Sequence, residues 1–185
     1  MFIRLKDLEL RSVPFSVAMA AGEIDFGERV RQTGPLEASG ESVLQNETIE
    51  EIRVRGRMHV EMEADCDRCL EPAGFVIEGD FDLSYLPERL ADEEGREEIA
   101  LRNEDSDAAF YSDGGIELKD VLREQVLLAM PMRKLCREDC KGICPVCGAN
   151  RNVSSCGCEV KQVDDRWAAL RAQEARSKKT EARSK

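Results

Sequence analysis

Hydrophobic and polar residues alternate strictly along residues 52–65, which is the pattern of a β-strand with one buried face. The apolar side of this run carries Ile52, Val54, Gly56, Met58, Val60, Met62 and Ala64. After the connection CDRCLEP, the alternation resumes from Phe75 to Tyr85. The two runs predict a long antiparallel hairpin with Cys66 and Cys69 at its tip.

Weaker patterns predict the rest of an antiparallel sheet. Short apolar alternations at Phe15 and Val17, and again at Ile24 and Phe26, indicate further strands. Turns between them are indicated by Gly22, Gly27, Gly34, Pro35 and Gly40.

One segment has the spacing of a helix. From Ile116 to Met130, apolar residues recur at helical intervals, and Pro131 then provides a stop signal. We therefore predict an α+β fold, in which an antiparallel β-sheet with a long hairpin accompanies one main helix and a cysteine-rich C-terminal segment.

Length and charge narrow the functional classes. The chain has 185 residues, 42% of them hydrophobic, which suits one ordinary core. The net charge of −11 is divided as −9 in residues 1–86, −7 in 87–113, 0 in 114–165 and +5 in 166–185. Affinity for phosphate backbones comes mainly from Lys and Arg, so such an acidic chain is no generic nucleic-acid binder. Any contact with RNA must be local.

From its apolar pattern we expect neither a membrane-spanning segment nor an export signal. No run of about 18 apolar residues is present, and residues 1–25 mix charged with apolar positions. We therefore expect a cytoplasmic protein with no membrane partner. Because the cytoplasm keeps thiols reduced, the eight cysteines of the chain indicate metal binding rather than disulfides.

The cysteines have the spacing of zinc ligands. A Cys-x2-Cys turn places two sulfurs on one Zn²⁺ ion at about 2.3 Å, and two such pairs complete a tetrahedron. Cys144 and Cys147, followed by Gly148, form the most specific pair, and we assign Cys156 and Cys158, which follow nearby in the sequence, as its partners. These four form the predicted site B.

The remaining four cysteines form the predicted site A, which comprises Cys66, Cys69, Cys136 and Cys140. This site requires the hairpin tip to meet the end of the main helix. A different division remains open, in which Cys136 or Cys140 joins Cys144 and Cys147 and leaves Cys156 and Cys158 without a metal.

Two filled four-cysteine sites would hold two structural zinc ions, because no coordination position stays open for water. Elsewhere the chain shows no catalytic motif: His59 lies on the polar side of a strand pattern, and neither GxGxxG nor a P-loop is present. We therefore expect no enzymatic activity and no small-molecule substrate.

The predicted elements divide the chain into one domain and a C-terminal extension. Asp164 and Asp165 would cap a short second helix that packs through Trp167 and Leu170, and a basic tail follows. We expect one domain over residues 1–165 and a helix with a tail over 166–185. The domain would consist of a β-rich part (1–86), an acidic loop (87–113) with a possible short helix around Ile99 to Leu101, the main helix (114–135) and the zinc-binding segment (136–160).

Four stretches together resemble the YceD family of bacterial and chloroplast proteins. They are CDRCLEP, GIELKDVLREQVLLAMP, LCREDCKGICPVCGANRNVSSCGC and DDRWAAL. The resemblance implies a role in the accumulation of large-subunit ribosomal RNA, hence in ribosome assembly, without enzymatic activity. It also supports Cys66 and Cys69 as the hairpin pair and the six later cysteines as a C-terminal cluster, without deciding which four share a metal.

The leading functional hypothesis is a zinc-stabilised accessory factor that binds large-subunit rRNA or a basic ribosomal protein. Ribosomal proteins are strongly basic, so the acidic part of the chain could attract one. RNA would instead have to contact the basic residues Arg133, Lys134, Arg137, Lys141 and Arg151. The alternative is a redox-regulated chaperone, in which oxidation expels zinc and exposes a binding surface.

Overall fold

Residues 1–92, 109–112 and 114–158 are described by a computed structural model of the chain. The chain forms two compact units, Met1–Cys140 and Lys141–Lys185. No helix in the described residues is long and apolar enough to cross a membrane. Several expectations lie outside the described residues. They are the helix around Ile99, most of the acidic loop, the C-terminal helix, the basic tail and the domain boundary at residue 165.

The first unit contains eight strands and three helices among the described residues. In chain order they are β1 (Phe2–Arg4), α1 (Leu5–Leu8), β2 (Val13–Met19), β3 (Val30–Gln32), β4 (Leu36–Asn46), β5 (Glu51–Asp65), β6 (Pro72–Pro87), α2 (Arg89–Asp92), β7 (Ala109–Tyr111), β8 (Gly115–Glu117) and α3 (Leu118–Leu128). The main sheet has the order β2, β4, β5, β6, β7, and β3 pairs with residues 62–64 of β5, beyond the part of β5 that pairs with β4. Among these described strands, only β7 pairs in parallel, with β6. The predicted α+β class is therefore confirmed.

The long hairpin is also confirmed. β5 and β6 pair without a break from Ile52 opposite Tyr85 to Asp65 opposite Pro72. The apolar side of β5 is buried, as the alternation predicts, and contributes Ile52, Val54, Val60 and Met62 to the core. The hairpin therefore carries the Cys66–Cys69 connection away from the main core at the far end of two long strands.

The main helix α3 occupies the predicted segment but begins slightly later. Leu118, Val121, Leu122 and Val126 form its buried face and join the core of the sheet. Ile116, where we expected the helix to start, instead lies in β8 and pairs with Ile3 of β1. This pairing fixes Ile116 in an extended conformation, and the helix begins only after Glu117.

Two expectations for the N-terminal strands are wrong. Ile24 and Phe26 lie in a loop rather than in a strand, although both side chains are buried in the core. Gly40 does not mark a turn but lies in the middle of β4, where it faces Gly56 of β5. The inward positions of β4 include small residues such as Ala38 and Ser42, so the strand has a weak apolar signal.

Candidate metal centres

The connection between β5 and β6 folds into a tight turn around the sulfur of Cys66. The amide of Leu70 donates to the carbonyl of Cys66 at 3.0 Å, and the amide of Cys66 donates to the carbonyl of Glu71 at 2.8 Å. Leu70 closes the turn with a positive φ of 64°. The turn directs both Cys66 and Cys69 to the same side, and both are buried.

The second unit contains the same turn around Cys144. The amide of Gly148 donates to the carbonyl of Cys144 at 2.8 Å, and the amide of Cys144 donates to the carbonyl of Ala149 at 2.8 Å. Gly148 has a φ of 73°, a left-handed conformation that glycine adopts without steric cost. The glycine that makes Cys144-x2-Cys147 a specific motif therefore serves the turn itself.

Four sulfurs converge in the first unit, and we call this group cluster A. The Sγ atoms of Cys66, Cys69, Cys136 and Cys140 all lie within 4.8 Å of one another. Cys66 and Cys140 Sγ are 3.8 Å apart, and Cys69 and Cys136 Sγ are 3.5 Å apart. Sulfurs bound to one Zn²⁺ at about 2.3 Å form a tetrahedron with edges of about 3.8 Å. Cluster A therefore has the size of a four-cysteine zinc site.

Two residues between the hairpin cysteines attach the segment after α3 to the turn. The amide of Asp67 donates to the carbonyl of Lys134 at 2.8 Å, and the amide of Lys134 donates to Oδ2 of Asp67 at 2.6 Å. Nη1 of Arg68 donates to the carbonyl of Cys140 at 2.8 Å. These bonds, which we call the Asp67–Arg68 clamp, hold residues 134–140 beside the turn. No pattern in the sequence predicts this clamp, although both residues lie inside the Cys-x2-Cys motif.

The second unit brings together the other four sulfurs, and we call this group cluster B. The Sγ atoms of Cys144, Cys147, Cys156 and Cys158 also lie within 4.8 Å of one another. A short antiparallel bridge between Ile143 and Asn150 closes the loop that carries the first pair. The structure thus groups the eight cysteines in the same two sets of four as the predicted sites A and B, and each set could hold a metal ion.

The thiols of each cluster differ in acidity. Burial raises the pKa of Cys66, but the amides of Cys136, Arg68 and Cys69 outweigh it and lower the pKa to about 6. The amides of Cys147 and Val146, together with the thiol of Cys156, lower the pKa of Cys144 to about 6. Each cluster thus contains one thiol whose hydrogen-bond donors already favour the thiolate.

The neighbouring thiols behave in the opposite way. A hydrogen bond with Cys69, reinforced by burial, raises the pKa of Cys136 to about 12. A hydrogen bond with Cys147, again reinforced by burial, raises the pKa of Cys158 to about 12. Four crowded sulfurs resist becoming four thiolates because like charges repel, and a divalent cation removes that repulsion. The donor set therefore fits a soft divalent metal such as Zn²⁺.

The two clusters differ in exposure. In cluster A, Cys66, Cys69 and Cys140 are buried and Cys136 is exposed. In cluster B only Cys144 is buried, whereas Cys147 is exposed and Cys156 and Cys158 are half-buried. Cluster B therefore offers more of its sulfur to solvent, chelators and oxidants.

The basic residues proposed for RNA contact have different surroundings. In the first unit, Arg133 is exposed, Lys134 is half-buried with its backbone in the clamp, and Arg137 forms an ion pair of 3.3 Å with Asp139. In the second unit, Lys141 and Arg151 are exposed and line a common hollow.

The arginines on the outer face of the sheet form ion pairs with acids of the next strand. Arg53 and Arg55 on β5 both contact Asp82 of β6, at 2.6 and 3.2 Å, and Arg57 contacts Asp80 at 3.0 Å. The bond to Arg53 is the main reason why the pKa of Asp82 lies below its ordinary value. These arginines form a cross-strand ladder of ion pairs rather than a free cationic surface.

Comparison with known proteins connects these clusters to a family. The family model described as Large ribosomal RNA subunit accumulation protein YceD matches residues 54–172. That range includes β6, α3 and all eight cysteines. No solved structure matches the chain.

Curated relatives include bacterial and plant proteins. An uncharacterized protein of Mycobacterium tuberculosis is 31% identical over 122 residues, which are 65% of this chain and 55% of that protein. A Zea mays protein, named large ribosomal RNA subunit accumulation protein YCED homolog 1, chloroplastic, is 26% identical over 133 residues, covering 60% of this chain and 45% of that protein. The matched region spans about half the length of these relatives.

Proposed function

The chain belongs to the YceD family, and from that premise we propose that it is a zinc-stabilised, non-enzymatic accessory factor in the accumulation of large-subunit ribosomal RNA. It would act during ribosome assembly in the cytoplasm by binding large-subunit rRNA or a basic ribosomal protein. The observation that carries this proposal is the family match, which spans nearly all of the hairpin, the main helix and both cysteine clusters. The plant relatives carry the same description in their names.

Zinc would have a structural role in this function. Cluster A would hold one ion through two cysteines of the hairpin tip and two of the segment after α3, and cluster B would hold a second. Bound Zn²⁺ would supply cross-links and positive charge, and four sulfur ligands leave no position for a reacting water. The protein's own contribution is to position the sulfurs through two equivalent turns and the Asp67–Arg68 clamp.

Of the two partners, we propose RNA for the second unit, because residues 1–113 are unfavourable for binding RNA. They carry a net charge of −16, the sum of −9 and −7, and the arginines of the sheet ladder are paired with acids. A basic ribosomal protein remains the alternative partner, because this acidic part would attract it at long range.

The proposal is tested by removing the protein from cells of its source organism. We expect the ratio of large-subunit to small-subunit rRNA to fall, and a plasmid copy of the full chain to restore it. Copies with Cys66→Ser or Cys144→Ser should restore it less well, because each loses one metal site. An rRNA ratio that is unchanged without the protein would contradict the proposed function.

A further inference from the structure

The second unit contains an open hollow beside cluster B. It has a volume of about 400 Å³ and is lined by Lys141, Arg151, Ser154, Ser155 and Cys156. Both cations and both serines are exposed. We call this feature the basic hollow. It combines two positive charges with two hydroxyl groups in one concave surface.

The backbone that carries the two cations is held in place by short hydrogen bonds. The amide of Lys141 donates to Oδ1 of Asn152 at 2.8 Å, and the amide of Arg151 donates to the carbonyl of Gly142 at 2.9 Å. The amide of Ser154 donates to the carbonyl of Asn150 at 3.1 Å. Lys141 and Arg151 therefore extend from neighbouring, fixed points of the chain, although ten positions separate them in the sequence.

No carboxylate competes for these cations in the described part of the second unit. Residues 141–158 contain no Asp or Glu, and Lys141 and Arg151 are their only basic residues. Among the described residues, neither cation forms an ion pair. The arginines of β5 differ in this respect, because Arg55 and Arg57 form ion pairs with Asp82 and Asp80.

The charge of cluster B determines what the hollow can bind. Four thiolates around one Zn²⁺ carry a net charge of about −2, which Lys141 and Arg151 balance. The hollow is therefore close to neutral within a chain of net charge −11. It would attract an anion weakly at long range, so binding must depend on short contacts. The planar fork of arginine, the lysine ammonium and serine hydroxyls supply such contacts to phosphate oxygens.

We propose that the basic hollow binds a backbone phosphate of single-stranded RNA. This inference rests on the proposed function and specifies where the RNA would contact the chain. Contacts to phosphate position a protein on RNA without reading the sequence of bases. The hollow would thus anchor rRNA, and any recognition of particular bases would require other residues.

The test measures binding of labelled single-stranded fragments of large-subunit rRNA to the full, zinc-loaded chain over a series of salt concentrations. In the double variant Lys141→Gln/Arg151→Gln, affinity should fall at least about tenfold, since one charge-assisted contact contributes that much. The slope of log affinity against log salt should decrease by about 0.7 for one lost phosphate. The matched control is Arg55→Gln/Arg57→Gln, which removes the same charge from the paired ladder and should change affinity little.

A second variant tests whether binding depends on the two positive charges. The exchange Lys141→Arg/Arg151→Lys keeps both charges and should retain most of the affinity, with zinc content and circular dichroism as checks of folding. Equal loss in this variant and in the glutamine variant, with zinc retained, would overturn a phosphate site.

The remaining outcomes separate this inference from the proposed function. If the wild-type chain binds rRNA and the glutamine variant binds it equally well, the basic hollow is not the contact, while the assembly role survives. If the wild-type chain binds no rRNA fragment but cells still need it for rRNA accumulation, the hollow proposal fails and a basic ribosomal protein becomes the partner. If inorganic phosphate alone shifts the amide resonances of Ser154 and Ser155 while RNA does not, the hollow binds free anions and the RNA proposal is wrong.

Discussion

Leu70 and Gly148 occupy equivalent positions in two copies of one turn, each directly after the second cysteine of a Cys-x2-Cys pair. Each donates its amide to the carbonyl of the first cysteine, at 3.0 and 2.8 Å, and each has a positive φ, 64° and 73°. Glycine adopts this conformation readily, whereas for leucine it is sterically unfavourable by about 1–2 kcal/mol. The side chain of Leu70 is 64% exposed, so burial recovers little of that cost.

We expect opposite effects from exchanging these residues. Leu70→Gly should leave the free energy of unfolding unchanged or raise it by up to about 1 kcal/mol, because relief of strain competes with the entropy of glycine. Gly148→Leu should lower the stability of the second unit by about 1–2 kcal/mol and weaken zinc binding at cluster B. Thermal unfolding and competition with a zinc chelator measure both. A loss of stability in Leu70→Gly would show that the leucine side chain has a role that its exposure does not reveal.

Gly40 and Gly56 show why part of the fold could not be predicted. A Cβ atom on Gly40 would collide with the carbonyl oxygen of Arg55 and lie 2.8 Å from Cζ of Phe15. Phe15 and Phe81 stack over this pair of glycines with ring centroids 6.5 Å apart. Glycine in a sequence usually indicates a turn, whereas here two glycines make room for rings contributed by other strands. That requirement arises from tertiary packing and leaves no periodic signal in β4.

The same pair of glycines provides a prediction. Gly40→Ala should destabilise the first unit by about 1–3 kcal/mol or more, because the added methyl group overpacks the sheet against backbone that cannot move freely. Gly79→Ala is the matched control, since a Cβ at Gly79 of β6 meets nothing within 4 Å. Urea unfolding of the two variants measures the difference. Equal midpoints would contradict the packing argument.

The cysteine clusters could be predicted in more detail than the sheet, because part of their arrangement depends on residues that are close in the sequence. In Cys144-x2-Cys147-Gly148 the turn, the ligands and the glycine are consecutive, so spacing alone indicates their arrangement. The convergence of Cys66 with Cys140 could be proposed only by elimination, because 74 positions separate them. The Asp67–Arg68 clamp that joins these segments uses ordinary backbone and charged groups, which no sequence motif distinguishes.

Metal content tests the two clusters directly. The full chain, purified under reducing conditions without chelator, should contain close to two zinc ions, one for each group of four sulfurs. Cys66→Ser and Cys144→Ser should each lower the content by one after mild chelation, whereas Ser154→Ala should not. Elemental analysis by mass spectrometry provides the count. A folded chain with no bound metal would contradict both sites, and unchanged zinc in Cys66→Ser would contradict the long-range one.

The order in which the metals leave should follow exposure. Cys147 is exposed and Cys156 and Cys158 are half-buried, so dilute peroxide should oxidise cluster B and release its zinc before cluster A. Zinc release followed with a coloured chelator should show two phases, and Cys144→Ser should lack the faster one. Release of both ions in a single phase would contradict this order. If the oxidised protein prevents aggregation of unfolded proteins and the reduced protein does not, the redox-chaperone alternative gains support.

Asp67 should preserve the arrangement of cluster A when the metal is absent. Its carboxylate accepts the amide of Lys134 at 2.6 Å, and its own amide donates to the carbonyl of Lys134. Asp67→Ala removes the carboxylate acceptor, which should cost about 1–2 kcal/mol locally. Residues 134–140 should therefore exchange amide hydrogens faster in the metal-free protein. The difference should be smaller with zinc bound, because the metal then ties Cys136 and Cys140 to the turn.

Two further variants separate the hydrogen bond from charge and from general instability. Asp67→Asn keeps an oxygen acceptor and should restore most of the protection, whereas Asp65→Ala, which changes an exposed acid one position before Cys66, should leave exchange in residues 134–140 unaltered. Hydrogen exchange followed by mass spectrometry measures all three variants with and without zinc. Exchange in metal-free Asp67→Ala that matches the wild-type protein would mean that the metal alone holds this segment, and that the clamp forms only as a consequence of it.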